Sequence, residues 1–228
     1  MPIGVIVNCL SVLIGGFAGA ALTRWLPDQL KTDLSTLFGF CSIAIGVTSI
    51  IKAQAMTAVV LAILAGFILG HFLNLDAGAT RFFQWLVEKL HLGGKDIDME
   101  LYITVVALFC CSGFGWYSTL IEGLAGDCSL LFSKSVLDFF TAIVFAAALG
   151  RAVCAIAFPQ AAILLVVFGV GRTLGAWITP AMFADLSACG GILTLAAGMR
   201  VAKIKSVPLI NLIPALMLVM PFSGILAA

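Results

Sequence analysis

The sequence predicts an all-α fold: a polytopic helical membrane protein with about eight transmembrane helices, seven being the alternative count. Three observations predict it. Of 228 residues, 62% are hydrophobic and only 10% are charged, whereas a soluble domain carries about 25% charged residues. The mean hydropathy of +1.19 leaves too little polar surface to cover the chain in water, so lipid must solvate it. Finally, two stretches about 150 residues apart read as copies of one three-segment unit, a pattern typical of transporter folds.

A span needs about 20 apolar residues. Eight runs qualify, with loose ends: 3–23, 34–51, 56–74, 101–121, 131–150, 158–178, 185–200 and 207–227. They are continuous and lack the alternation of a membrane barrel, so helices are expected. The fifth and sixth runs abut around Arg151 and Pro159, which keeps a seven-span or re-entrant arrangement open. The N-terminus has no basic leader region and no small-residue cleavage pattern, and it reads as the first span.

Basic residues mark the cytoplasmic side. The loops after the first, third, fifth and seventh runs hold nine: Arg24, Lys31, Arg81, Lys89, Lys95, Arg151, Arg200, Lys203 and Lys205. The opposite side holds Lys52, Lys134 and Arg172. Nine against three predicts both termini outside the cell; a seven-span chain would have its C-terminus inside.

The first repeat copy runs through Gly15-Gly16, Trp25-Leu26-Pro27, Asp33-Leu34-Ser35, Gly39, Gly46 and Lys52. The second runs through Gly169 and Gly171, Trp177-Ile178-Thr179-Pro180, Asp185-Leu186-Ser187, Gly191, Gly198, Lys203 and Lys205. An offset of five crossings is odd, so the second copy is expected upside down relative to the first. The expected organisation is one integral membrane domain, 1–228, with repeat units at about 3–75 and 158–227. Central helices at about 99–151 separate them, and a cytoplasmic interfacial segment occupies 76–100. In that segment Phe82, Trp85, Leu86 and Leu90 share a helical face, with Arg81, Glu88, Lys89 and His91 mostly elsewhere, which reads as a helix on the membrane surface.

Charges at membrane depth are costly and mark candidate sites. Six gather towards the outer side: Glu122, Asp127, Lys134, Asp138, Arg172 and Asp185. Lys134 and Asp138 are four apart and share a helix face. Asp138 lies about two turns into its span and needs a partner, a proton or a cation. Two readings stand: structural Lys134–Asp138 or Arg172–Asp185 pairs, or a cation or proton site centred on Asp138. Asn8 and Asn211 are amides inside spans and should face inward. Pro208, Pro214 and Pro221 make the last run a candidate broken helix. Gly39, Gly46, Gly190, Gly191 and Gly198 read as close helix contacts.

A net charge of +1 gives no case for a nucleic-acid partner. The seven cysteines follow no zinc spacing and read as buried free thiols. His71 and His91 are not spaced as metal ligands, and no nucleophile elbow, Walker loop or dinucleotide fingerprint occurs. No cofactor, metal or enzymatic activity is therefore expected.

Several motifs together resemble the DUF554 (YdfK/YqgA-like) family of bacterial membrane proteins. They are Pro2-Ile3-Gly4-Val5-Ile6-Val7-Asn8 with Gly15-Gly16, Leu37-Phe38-Gly39, Cys111-Ser112-Gly113 and Glu122-Gly123 with Gly126-Asp127. Lys134-Ser135 with Leu137-Asp138-Phe139 and Asn211-Leu212-Ile213-Pro214-Ala215 complete the set, so the likeness runs nearly end to end. The resemblance implies a bacterial plasma-membrane location and no particular activity.

The leading expectation is a secondary transporter or channel-like permease for a small solute or ion, with an acidic outward-facing vestibule. Asn8, Glu122, Asp127, Lys134, Asp138, Arg172, Asp185 and Asn211 are its expected substrate- or ion-binding residues. Its partners would be the lipid bilayer and the transported species, as a monomer or a homodimer. The alternative is a non-transporting membrane scaffold, sensor or accessory subunit. An intramembrane enzyme using Cys110 or Cys111 ranks third.

Overall fold

A computed structural model describes residues 1–23, 25–89, 97–174 and 177–226. Arg24, Leu90, His91 and Lys95, which the topology and interfacial-helix expectations used, lie outside the described residues.

Hydrocarbon offers a peptide group no partner, so each spanning segment must close its hydrogen bonds internally. The described residues are accordingly 85% helical. The helices are α1 (Ile3–Leu22), α2 (Asp28–Ile50), α3 (Met56–Phe72), α4 (Leu75–Lys89), α5 (Met99–Cys110) and α6 (Gly113–Ala125). Then come α7 (Ser129–Leu149), α8 (Ala152–Ala155), α9 (Ala157–Leu174), α10 (Pro180–Val201), a 3₁₀ turn (Leu209–Leu212) and α11 (Ile213–Leu226). Seven units are long and apolar enough to cross a membrane: α1, α2, α5 with α6, α7, α8 with α9, α10, and the 3₁₀ turn with α11. α3 and α4, bent by 61° at Leu73-Asn74, meet the same requirement of length and composition only as a pair, as one broken span or a re-entrant loop, which makes seven to eight candidates among the described residues. Large apolar side chains such as Ile14, Phe17, Leu64, Ile68, Phe140 and Val166 point outward and are more than half exposed, as lipid contact requires.

Two glycines with positive φ turn the chain. Gly126 (φ 74°) closes α6 by donating its N–H to the Glu122 carbonyl, and Gly150 (φ 67°) ends α7. The start of α2, the start of α5, the end of α7 and the end of α10 all border one cavity and so lie at one end of the bundle. The α2–α3 connection, the start of α10 and the end of α11 meet at the other.

Small residues set the closest contacts, because lipid supplies no hydrophobic drive between helices and packing must do the work. Gly15 and Gly19 let α1 approach the Phe139 and Ile143 carbonyls of α7; an added Cβ would sit 2.5 and 2.3 Å from them. α2 and α10 pack antiparallel and reciprocally: Gly39 against Gly198, and Gly46 against Gly191. A shift of 152 residues carries Asp28–Ile50 onto Pro180–Ala202, and α10 ends one residue short of that. The same shift carries α1 and α3 onto α9 and onto the 3₁₀ turn with α11, to within two residues at each end. α1 and α9 run in opposite directions, with Asn8 beside Gln160 but Gly16 beside Cys154.

Two local features differ from expectation, at 101–121 and in the last span. The run at 101–121 is not one helix; it breaks at Cys111-Ser112. The break is satisfied locally: the Ser112 hydroxyl caps α6 by accepting from the Gly115 N–H, and the Trp116 indole donates to the Cys110 carbonyl (2.9 Å). It lies where Gly113 meets Gly190 of α10. In α4 the inward face is Phe83 and Val87, while Phe82 and Trp85 are half exposed. Lys89 sits over the Trp85 ring at 4.5 Å, an arrangement suited to a headgroup boundary. The last span is irregular at its start, through the 3₁₀ turn, whereas Pro221 is held inside α11. All seven cysteines are free, five of them buried.

Gly190→Ala should lower the melting temperature of the purified protein, because its Cβ would lie 2.0 Å from the Gly113 Cα; overpacking of this kind costs about 1–3 kcal/mol. Gly78→Ala, in α4 with nothing within 4 Å of the added carbon, should melt no lower than the parent. Equal melting of the Gly190→Ala variant and the parent would show that this crossing yields more easily than the geometry implies.

Candidate functional site

α7 carries Lys134 and Asp138 one turn apart, so both face the same neighbours. Those neighbours are α1, which contributes Asn8, and α9, which contributes Gln160. The Asp138 Oδ2 atom accepts three hydrogen bonds: from the Lys134 ammonium, from Asn8 Nδ2 (2.8 Å) and from Gln160 Nε2 (3.2 Å). Gln160 Nε2 also donates to Asn8 Oδ1 at 2.8 Å. Asn8 and Gln160 are fully buried, Lys134 is 2% exposed and Asp138 6%. Asp138 is the tenth of the 21 residues of α7, about 14 Å from the helix start and so near mid-membrane. The Lys134 stem needs room: a Cβ at Gly115 of α6 would lie 2.5 Å from its Cε.

A buried ion pair is tolerated only when further hydrogen bonds satisfy its remaining capacity. Here two amides add to the ammonium's bond, all three on the one oxygen Oδ2 of the carboxylate. One acceptor is left over, because Gln160 Oε1 is buried with no partner. Glu122 of α6 repeats the theme about one turn along α1. Its Oε1 accepts from the Gly4 N–H at 2.6 Å, capping α1, while its Oε2 is buried and unpartnered.

The other expected site residues are distributed differently. Asp127 is exposed in the α6–α7 turn, where the Ser129 hydroxyl and N–H (2.9 Å) hold its carboxyl below the usual range. Arg172 is exposed near the end of α9 and makes no ion pair among the described residues; the Arg172–Asp185 pair does not form. Asp185 is fully buried. Its Oδ1 accepts from the Gln54 and Ala55 N–H groups (2.8 and 2.9 Å), and its Oδ2 from the Ser223 hydroxyl (2.5 Å). It thus caps α3 and ties three segments together. Asn211 sits in the 3₁₀ turn, and its Oδ1 accepts from the Asp76 N–H (3.0 Å) at the start of α4. It lies away from Asn8 and joins no mid-membrane site with it. The six charges therefore separate: Lys134 and Asp138 in the core, Glu122 a turn away, Asp127 and Arg172 on the surface, and Asp185 in its own anchor.

Gln160 was missed by sequence reasoning, although the rule that singled out Asn8 applies equally to an amide within an apolar run. A cavity of about 740 Å³ opens at the other end of the bundle from Asp185. Lys31, Arg200, Lys203 and Lys205 line it, together with Asp28, Asp98 and Glu100. Lys31 pairs with Asp28 (2.8 Å) and Arg200 with Glu100 (3.2 Å).

The architecture and the enclosed polar network define an integral, multi-span helical membrane protein. The chain belongs to the family described as a protein of unknown function, DUF554, whose model matches residues 3–224. It is 38% identical over 231 residues to the uncharacterized protein YqgA of Escherichia coli (strain K12), covering 98% of this chain and 97% of that one. It is 25% identical over 219 residues to the uncharacterized membrane protein YdfK of Bacillus subtilis (strain 168), covering 94% and 93%. No solved structure matches.

Removing one member of the core pair, by Lys134→Met or Asp138→Leu, should destabilise the protein by about 3–5 kcal/mol, since it strands a buried charge. The double variant should recover much of that loss. Thermal unfolding of the three variants checks this, and a double variant no better than either single one would mean the pair is not an isolated unit.

Proposed function

We propose that this protein is a secondary transporter or channel-like permease for a small solute or ion, with Asp138 as its proton or cation site. The observation that carries the reading is the Asn8–Lys134–Asp138–Gln160 network at mid-membrane. A membrane helix has little structural reason to carry a carboxylate and an ammonium at its centre, and intramembrane ionisable groups mark ion and solute pathways. A proton on Asp138 would cancel its charge and weaken its hold on Lys134; a small cation would compete with Lys134 for the same oxygen. The unpartnered Gln160 Oε1 and Glu122 Oε2 are acceptors of the kind such a cation or proton uses. Glu122 extends the site outward in place of a broad acidic vestibule.

The same proposal takes the two three-helix units as inverted repeats about a pseudo-two-fold axis between α2 and α10. The common shift of 152 residues and the reciprocal glycine contacts support it. With the bases of the α2, α4 and α10 ends facing the cytoplasm of a bacterial cell, both termini lie outside.

One observation favours a scaffold, sensor or accessory subunit instead: the central charges are already paired. A thermal-shift screen of the detergent-purified protein against ions, pH steps and pooled metabolites separates the two, because a ligand that binds the folded state raises its melting point. Transport predicts a saturable shift that Asp138→Asn abolishes while remaining folded. A flat screen, with Asp138→Asn merely less stable, would favour the scaffold.

A further inference from the structure

The 152-residue shift carries Asp33 to Asp185, Gln54 and Ala55 to Ser206 and Val207, and His71 to Ser223. At one end of the bundle the second set is closed: Asp185 holds the Gln54 and Ala55 amides and the Ser223 hydroxyl. The surrounding packing is tight, with Phe183, Ser187 and Ala188 of α10 all buried.

The corresponding place at the other end is open. Asp33 is exposed, and its one described side-chain bond comes from Gln29 of the same helix (3.1 Å). The segment that would meet it is held elsewhere, by the Ser206 hydroxyl on Glu100 (2.8 Å) and by Arg200 on the Val207 carbonyl (3.3 Å). Between the start of α2 and that segment lies the cavity of about 740 Å³, lined by Lys31, Thr32, Ser35 and Thr36 on one side and by Arg200, Val201 and residues 203–206 on the other, with Asp33 beside it and outside its lining. Thr36, partly exposed, is the counterpart of the fully buried Ala188, while Ser35 and its counterpart Ser187 are both buried.

We propose that Asp33 and Asp185 are two alternately closed latches, and that this structure is the state latched at Asp185 and open at Asp33. The proposal rests on the transporter reading and on the repeat relation. In the alternate state Asp33 accepts from the Ser206 and Val207 amides, with the His71 imidazole as third donor where Ser223 serves Asp185. Glu100 then releases Ser206, the cavity closes, and the Asp185 end opens. The two ends compete because α2 and α10 each contribute to both, and they cross at Gly39–Gly198 and Gly46–Gly191. A rock about that crossing tightens one end as it loosens the other, as alternating access demands.

Thiol labelling tests this in the full-length protein with its seven native cysteines replaced and its fold verified. Thr36→Cys reports the Asp33 end and Ala188→Cys the Asp185 end, each reacted in detergent with a charged, water-soluble maleimide. Thr36→Cys should react several-fold faster than Ala188→Cys. Adding Asp185→Asn or the milder Ser223→Ala should speed Ala188→Cys and slow Thr36→Cys. Asp33→Asn, which alters an exposed side chain and leaves the observed state intact, should slow Ala188→Cys further. Faster labelling of Ala188→Cys with Thr36→Cys unchanged would overturn the proposal and leave Asp185 a local helix cap; so would indifference to Asp33→Asn. The two readings fail separately. Reciprocal labelling with a flat ligand screen keeps the latches and removes transport, and a ligand shift without reciprocity does the reverse.

Discussion

A carboxylate at the centre of a bilayer must be neutralised where it stands, and most of the interior geometry follows from that demand on Asp138. Lys134 is the only base one turn away on the same helix, and its stem fits because Gly115 leaves the space. The pair alone would leave polar capacity unmet in a medium that cannot meet it. Asn8 and Gln160 supply the remaining donors, which fixes the rotation of α1 and α9 against α7. Gly15 and Gly19 bring α1 close enough to α7 for a short amide to reach. A longer separation would put Asn8 out of range, so the small residues on that helix serve the polar network as well as the packing.

The second organising constraint is that helix ends inside the bundle have unpaired backbone groups. Distant side chains supply what local sequence does not. Glu122 caps α1, Asp185 the start of α3, and Asn211 the start of α4, each across more than a hundred residues of chain. The break between α5 and α6 is served nearby, by Ser112 and Trp116.

Apolar run length made the membrane class and most of the span order legible, because it depends on composition over about 20 residues. The Lys134–Asp138 pair was legible too, from helical periodicity alone. What pattern reading missed were interactions closed by tertiary contact. Asp185 and Asn211 stand out in sequence as polar residues at membrane depth, yet their partners are backbone amides that carry no sequence signal. Gln160 is a single amide beside Pro159 and gives little periodicity to read. The α5–α6 break falls in Cys110-Cys111-Ser112, residues that sit in helices as readily as outside them.

The antiparallel contact of α2 with α10 also bears on biogenesis. α2 emerges from the ribosome well before α10 has been made; at about 5–20 residues per second the interval is on the order of 10–30 s. During that time Gly39, Gly46, Ser35 and Ser42 face lipid or the insertion machinery, not their eventual partner. A chain halted before Pro180 would present this small, polar stripe with nothing to cover it, which is the kind of surface that marks an unassembled span for degradation. Completion of α10 is thus the event that commits α2 to its final contacts.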